Sequence, residues 1–332
     1  MATEGRGTIG LSCSLKCRWI EQAVIYVSES NGQRGASIKR PTQRASSQSS
    51  SDKNVKVSFE FLPPETAAGE RSLWRSIKRL EPLEPIDVGI TNGGLGSTRE
   101  RTHAMTLRIL SETQLSVAPH LTCVSATRHE VDEIAYNYWK LGIRKVVAIR
   151  GESGGEAYRR YLGGYVDATS LVAGIRAIAP FEIVVAVHPE KHPESRSLQA
   201  EIDVLKAKID AGATSAITQC FFDNEIFFRF LDRVRAAGIT IPITPGILPI
   251  YNFEKAARFA SRWEISIPDR VVQRVANLAD DPDTRRVAAV ANTTEQLRDL
   301  VDAGVRDFHF YTLNQSDIVF AICHMLGLRS KS

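Results

Sequence analysis

Val57-Ser58-Phe59-Glu60-Phe61-Leu62-Pro63-Pro64-Glu65-Thr66 is the stretch on which the fold turns. Its first part is rich in β-branched and aromatic residues and ends at two prolines, so it reads as a strand over 55–62. A doubly wound dinucleotide-binding sheet would follow its first strand with G-x-G-x-x-G. Here the chain runs instead through Pro63-Pro64 into an amphipathic helical pattern over 67–80. The alternation then repeats. Strands are expected over 86–91, 115–122, 144–150, 182–188, 215–219, 241–246 and 306–311. Helices are expected over 98–113, 128–141, 166–178, 195–211, 223–237, 252–262 and 315–326. Two extra helices, 268–278 and 283–303, fill the space before the last strand. Gly142, Gly212, Gly238 and Gly304 each close an apolar-periodic run ahead of a strand, the usual place of a helix-ending glycine. Eight strands with intervening helices in roughly 275 residues is the arithmetic of an α/β fold of the (β/α)8 TIM-barrel type. A doubly wound sheet is the runner-up.

Composition bounds the function. The chain has 332 residues, 24% charged and 43% hydrophobic, which is globular. No stretch approaches the roughly 18 consecutive apolar residues of a membrane helix, so no membrane association is expected. Five irregularly spaced cysteines suit neither a disulfide scaffold nor a zinc site, and they agree with a reducing, cytoplasmic location. The net charge of +4 is uneven: residues 1–54 hold eight Lys/Arg against four Asp/Glu, leaving 34 against 34 elsewhere. The body therefore offers no electrostatic case for nucleic acid. Residues 1–54 close on Ser46, Ser47, Ser49, Ser50 and Ser51, and their run Ala23-Val24-Ile25-Tyr26-Val27 is too short for a secretory signal. A disordered extension, or a leader created by an upstream start codon, is expected ahead of a 55–328 domain, with a transit peptide as the alternative.

Barrel active sites lie at the C-terminal ends of the strands. Those ends carry Glu60, Thr91, His120 with Thr122, Arg150-Gly151-Glu152, His188, Gln219, and His309 with Tyr311. So many polar residues at positions that packing would keep apolar point to a polar ligand site. Glu60 lies between Phe59 and Phe61, where loss of water should raise a carboxyl pKa toward that of a general acid. A structural glutamate is the alternative. Gln219 offers a donor and an acceptor side by side, which suits the amide edge of a heterocycle. Gly93-Gly94-Leu95-Gly96 and Gly151 with Gly154-Gly155 permit close backbone approach to a ligand. His188-Pro189-Glu190-Lys191-His192-Pro193-Glu194 has metal-ligating residue types, but its prolines forbid the helical H-E-x-x-H geometry, and no metal is expected.

These stretches resemble the methylenetetrahydrofolate reductases. The likeness is carried by Ser58-Phe59-Glu60-Phe61-Leu62-Pro63-Pro64, Ala118-Pro119-His120-Leu121-Thr122, Ala148-Ile149-Arg150-Gly151 and Pro189-Glu190-Lys191-His192-Pro193-Glu194. It continues through Ala216-Ile217-Thr218-Gln219, Pro245-Gly246-Ile247-Leu248-Pro249 and Asp307-Phe308-His309-Phe310-Tyr311-Thr312, and spans 55–328 in order. The resemblance implies a (β/α)8 flavoprotein that reduces 5,10-methylenetetrahydrofolate to 5-methyltetrahydrofolate, with FAD as cofactor and NADH or NADPH as donor. It implies Glu60 as the general acid that opens the imidazolidine ring, and Glu152, Gln219 and Phe259 as substrate-binding residues. Thr91, His120, Arg150, Gly151, Tyr165, His188, His192 and Lys208 match cofactor-binding positions. The short chain is similar to the bacterial form, which favours NADH, and family members self-associate, so a homo-oligomer is expected.

The chain departs from the family pattern mainly around the flavin. Glu152 stands where Arg-Gly-Asp is usual, and Asn92 interrupts Thr-Tyr-Gly. His188 replaces a tyrosine, Glu201 an aspartate, and Ala207 an arginine. Alternatives that follow are the same folate reaction with altered, weak or absent flavin, and a lapsed paralogue that only binds folate or a nucleotide.

Overall fold

The computed structural model describes residues 55–91, 96–151, 161–276, 278 and 281–330. The extension expected over 1–54 lies outside them, as do Asn92, Gly93, Gly94, Leu95, Glu152, Gly154 and Gly155. Nine short strands and ten α-helices follow one another among the described residues. The alternation begins with β1 (Lys56–Phe61), α1 (Ala67–Leu80), β2 (Val88–Ile90), α2 (Gly96–Glu112), β3 (His120–Thr122) and α3 (Arg128–Lys140). It continues with β4 (Lys145–Ile149), α4 (Ala168–Ile178), β5 (Glu182–Val187), α5 (Leu198–Asp210), β6 (Ser215–Thr218) and α6 (Asn224–Ala236). The last part runs β7 (Ile243–Thr244), β8 (Gly246–Ile247), α7 (Phe253–Arg262), α8 (Asp269–Val275), α9 (Pro282–Asp302), β9 (Asp307–Tyr311) and α10 (Ser316–Met325). No helix among the described residues is long and apolar enough to cross a membrane.

All pairings are parallel, in two arcs ordered β2-β1-β9-β8 and β3-β4-β5-β6-β7. The arcs meet twice. A bridge between Val88 and Val117 joins β2 to the run entering β3. At the other junction β7 and β8 are halves of one barrel strand broken at Pro245, the first pairing with β6 and the second with β9. Proline has no N–H for the ladder, so the chain changes partner there. The Pro245 carbonyl accepts from His309 N–H, and Gly246 N–H donates to Thr218 Oγ1. A Cβ on Gly246 would lie 2.1 Å from the Thr218 carbonyl oxygen and 2.6 Å from the Tyr311 ring, so only glycine closes the circle. The result is a (β/α)8 barrel with α8 and α9 inserted before its last strand.

Strand alternation assigns the two faces of β1 and β9. Phe59, Phe61, Phe308 and Phe310 are fully buried against α1, α9 and α10, joining Leu73, Ile77, Leu297 and Ile322. Their neighbours Ser58, Glu60, His309 and Tyr311 point the other way, into the barrel. The opposite inner wall is apolar, with Ala118, Val147 and Val184 packed together. Helix starts are set by caps: Thr127 and Glu130 form a capping box on α3, Asp167 caps α4 at Ser170 N–H, and Ser197 caps α5 at Ala200 N–H. The strand expected over 115–122 is shorter than its apolar run because Pro119 interrupts the ladder, its carbonyl accepting from Val147 N–H.

Candidate active site

The C-terminal strand ends open into one cleft of about 970 Å³. Glu60, Thr91, His120, Arg150, Gly151, His188, His192, Lys208, Gln219 and Phe259 all line it. Glu152 lies outside the described residues. Tyr165 is not in the cleft wall: it is buried in the core around α3 and α4, where its hydroxyl donates to Asp132 Oδ1 at 2.5 Å and Arg128 lies over its ring. A residue at the end of a loop was readable from the sequence, but the side on which its ring packs was not.

On one side of the cleft, β1 sets Glu60 opposite Gly89 of β2 and Tyr311 of β9. Glu60 Oε2 lies 3.3 Å from His120 Nε2 and 3.4 Å from His309 Nε2. His309 Nδ1 is 2.8 Å from Ser58 Oγ, and the Tyr311 hydroxyl donates to the Thr218 carbonyl at 2.8 Å. This changes the expected electrostatics. Burial pushes the Glu60 carboxyl up, but the His120 and His309 imidazoles outweigh it and hold the group below the ordinary carboxylate range. Without ligand, then, Glu60 is a carboxylate, and the expectation of a raised pKa fails because the flanking phenylalanines point outward while two imidazoles point in. Burial lowers the His120 pKa in turn. Gln219 Oε1 accepts from Cys220 N–H at 2.9 Å, a contact that uses one of the four hydrogen-bonding sites of an amide.

The β4–β5 side is charged and ring-lined, with Arg150 and Lys208 set among Asp167, Glu194 and Glu201. Gly151 has φ +84°, and a Cβ there would lie 2.6 Å from Val124, so glycine is required for Arg150 to leave β4 at this angle. Arg150 Nη1 meets Glu194 Oε2 at 2.5 Å. Lys208 is half-buried, its ammonium donating to the Ala186 carbonyl at 2.8 Å, and the loss of water around it lowers its pKa. Burial, followed by the neighbouring His188 and Arg150, brings the His192 pKa down to about 4. Glu201 resists its own burial because His188, Ser195 and the His192 N–H bond to it, and its pKa falls to about 2.

Trp263 was missed in the sequence. It stacks on His188 at 5.9 Å and 13°, meets His192 edge-on at 5.3 Å, and lies 6.3 Å from Phe259. Its signal was the i, i+4 spacing from Phe259, which places both rings on one side of the α7 end. Lys191 and Glu264 pair at 3.2 Å, and Glu190 accepts from Ser266, so the β5–α5 loop is fastened to the chain leaving α7.

This donor set suits a flavin dinucleotide. Arg150, Lys208 and the first turn of α4 at Ala168 and Thr169 offer cations and N–H groups for phosphates. The wall of Phe259, Trp263 and His188 offers faces for flat rings. Among the described residues no group of His, Cys, Asp and Glu is arranged to hold a metal ion.

Fold and site together define a barrel enzyme whose cleft opposes a carboxylate set between imidazoles to a wall of paired charges and aromatic rings. The comparisons with known proteins make this specific. The family model for methylenetetrahydrofolate reductase matches residues 45–327. The 5,10-methylenetetrahydrofolate reductase of Escherichia coli (strain K12) is 45% identical over 277 residues, covering 83% of this chain and 92% of that one. That of Pectobacterium carotovorum is 44% identical, covering 83% and 91%. The Arabidopsis thaliana protein named methylenetetrahydrofolate reductase (NADH) 1 is 32% identical, with the match covering 49% of its length. A Clostridium thermocellum structure described as binding two copies of 5-methyl-5,6,7,8-tetrahydrofolic acid shares the fold, with a TM-score of 0.54 at 15% identity over 82% of this chain and 96% of that one. The chain belongs to the methylenetetrahydrofolate reductase family and is an oxidoreductase.

Proposed function

We propose that the chain reduces 5,10-methylenetetrahydrofolate to 5-methyltetrahydrofolate, with NADH as electron donor, FAD in the β4–β5 side of the cleft and Glu60 as general acid. The observation that carries the reading is Glu60 itself: a carboxylate at a strand end, 16% exposed, facing the cleft with two imidazoles within 3.4 Å. A protein that only bound folate would have no use for that desolvated group. Bound flavin would supply a two-electron carrier between nicotinamide and folate.

The residues of the chain do the rest. Gln219 presents its amide to the pterin edge, and Phe259 gives a face on which either flat substrate stacks in turn. Arg150 and Lys208 hold the cofactor phosphates, which requires Arg150 to exchange Glu194 for the ligand. When folate displaces water from Glu60, the carboxylate loses solvation while the imidazoles remain, and it takes up a proton. It then gives that proton to N10 of the imidazolidine ring: the N10–methylene bond breaks, the electron pair stays on N10, and the N5 lone pair forms the C=N⁺ bond of the iminium. The overall reaction consumes one proton for each hydride delivered. NADH is assigned on the likeness to the short bacterial relatives, and a homo-oligomer belongs to the same proposal, to be checked by sedimentation.

Two measurements test the reading. Purified protein should show flavin absorbance and release FAD on heating; a colourless protein that still turns over folate would remove FAD from the scheme. Glu60→Gln should lower folate turnover by at least about 100-fold while leaving oxidation of NADH by an artificial quinone acceptor near wild type. Loss of both would point to misassembly, and loss of neither would remove Glu60 as the acid.

A further inference from the structure

Below the cleft lies a second, smaller chamber of about 50 Å³ inside the barrel. Its polar walls are Ser58, Asp87, Ser215, Thr244, His309 and His120, and that volume holds an ordered water where two to four polar partners surround it. Its floor is the ion pair of Asp87 Oδ2 and Lys145 Nζ at 2.8 Å, at the N-terminal ends of β2 and β4. The Lys145 side chain is 27% exposed, so the pair stands between chamber and solvent. Of the polar residues lining the chamber, His120 alone also lines the cleft. It is buried, its Nε2 lies 3.3 Å from Glu60 Oε2, and neither ring nitrogen has a hydrogen-bond partner among the described residues. Buried polar atoms of that kind call for an explanation. Packing does not provide one, since the opposite inner wall is built from Ala118, Val147 and Val184.

We propose that the proton consumed in each turnover reaches Glu60 from beneath, entering at the Asp87–Lys145 pair on the N-terminal face and crossing the chamber to His120. The inference rests on the assignment of Glu60 as acid. Stoichiometry gives the need for it. With folate and flavin in the cleft, the upper route to solvent is filled at the step that uses the proton. A water in the chamber gives a proton to one ring nitrogen of His120 and regains one from solvent at the Asp87–Lys145 pair, while the other ring N–H is given to Glu60; the imidazole ends each cycle in the other tautomer and resets by exchange with the same water. His309 and Ser58, linked at 2.8 Å, are a parallel arm to the same carboxylate. Hydride transfer from NADH to flavin takes no proton from this line. Asp87 and Lys145 act through His120 and are positioning residues, not catalytic ones.

The test separates the two half-reactions in rapid-mixing experiments on the flavin-loaded enzyme. Asp87→Asn should slow the folate half-reaction about tenfold or more and raise its solvent deuterium isotope effect, with flavin reduction by NADH unchanged. Removing one member of the pair leaves a charge alone and can unfold the barrel, so Asp87→Leu/Lys145→Met replaces both with apolar groups and should give the same result. Thr244→Val swaps a chamber hydroxyl for a methyl and should raise the isotope effect with a smaller loss of rate. If all three variants keep the wild-type folate rate and isotope effect, the proton enters through the cleft and the proposal is wrong. Glu60→Gln, run beside them, separates the two claims: if it keeps folate turnover the acid assignment falls, and if it collapses while the chamber variants do not, only the inlet falls.

Discussion

Glu201 reaches His188 Nδ1 at 3.6 Å with one carboxylate oxygen and His192 N–H at 3.3 Å with the other. The two residues stand where the family resemblance places aspartate and tyrosine, and the contact makes the two departures one change: a longer acid beside a smaller ring. Glu201→Asp alone shortens the reach to both partners, and His188→Tyr alone brings a larger ring against Trp263 and the Glu201 carboxylate. Each single change should destabilise the protein, and the double variant should recover about 1 kcal/mol of the summed loss, read from urea midpoints. The same contact shows what a linear reading could reach. Both positions could be picked out as site residues, since each ends a strand or faces it from the next helix. Their pairing could not, because it depends on where two side chains turn across twelve intervening residues. Glu60 teaches the same lesson. Its place was legible from β1, but the direction of its pKa depended on His120 and His309, which lie 60 and 249 residues further along the chain.

Helix α1 occupies the expected 67–80, and α3 stops within a residue of its expected end. Such elements were legible because caps and amphipathic spacing are local. The Thr127–Glu130 capping box makes this testable, since Thr127→Ala should cost about 1 kcal/mol and leave the cleft unaltered, seen as an unchanged flavin spectrum. What was not legible is the switch of partner at Pro245. It depends on β6 and β9 converging on one short segment, and the sequence shows only a strand over 241–246. Gly246→Ala would force a methyl against the Thr218 carbonyl and the Tyr311 ring. A cost of at least about 2 kcal/mol is expected, with loss of the Tyr311–Thr218 bond and a disturbed cleft, so that both stability and folate turnover fall.

At the scale of the whole molecule, acid should act in two successive steps. His192 has a folded pKa of about 4 against 6.5, so the unfolded chain takes a proton that the folded one refuses. Stability therefore drops as the pH falls from 6.5 to 4, and this group adds nothing further below 4. Glu201, at about 2 against 4.5, stabilises fully above the ordinary carboxylate value, and its contribution is lost as the pH falls through 4.5 toward 2. Urea midpoints measured from pH 7 to 4 should decline, and His192→Gln should flatten that limb.

The two arcs of the barrel carry a mechanical consequence. Glu60 and Tyr311 belong to one arc, while Arg150, Lys208 and Gln219 are held by the other. Between β2 and β3 the arcs are joined by two backbone hydrogen bonds, Val88 N–H to the Ser116 carbonyl and Ala118 N–H to the Val88 carbonyl. A hinge so lightly stitched lets the halves breathe without melting a strand, and a ligand lying across the cleft acts as a rivet from one shell to the other. Deuterium uptake at Val88 and Ala118 should accordingly slow when the cleft is filled, long before any amide in the middle of β5 reports a difference.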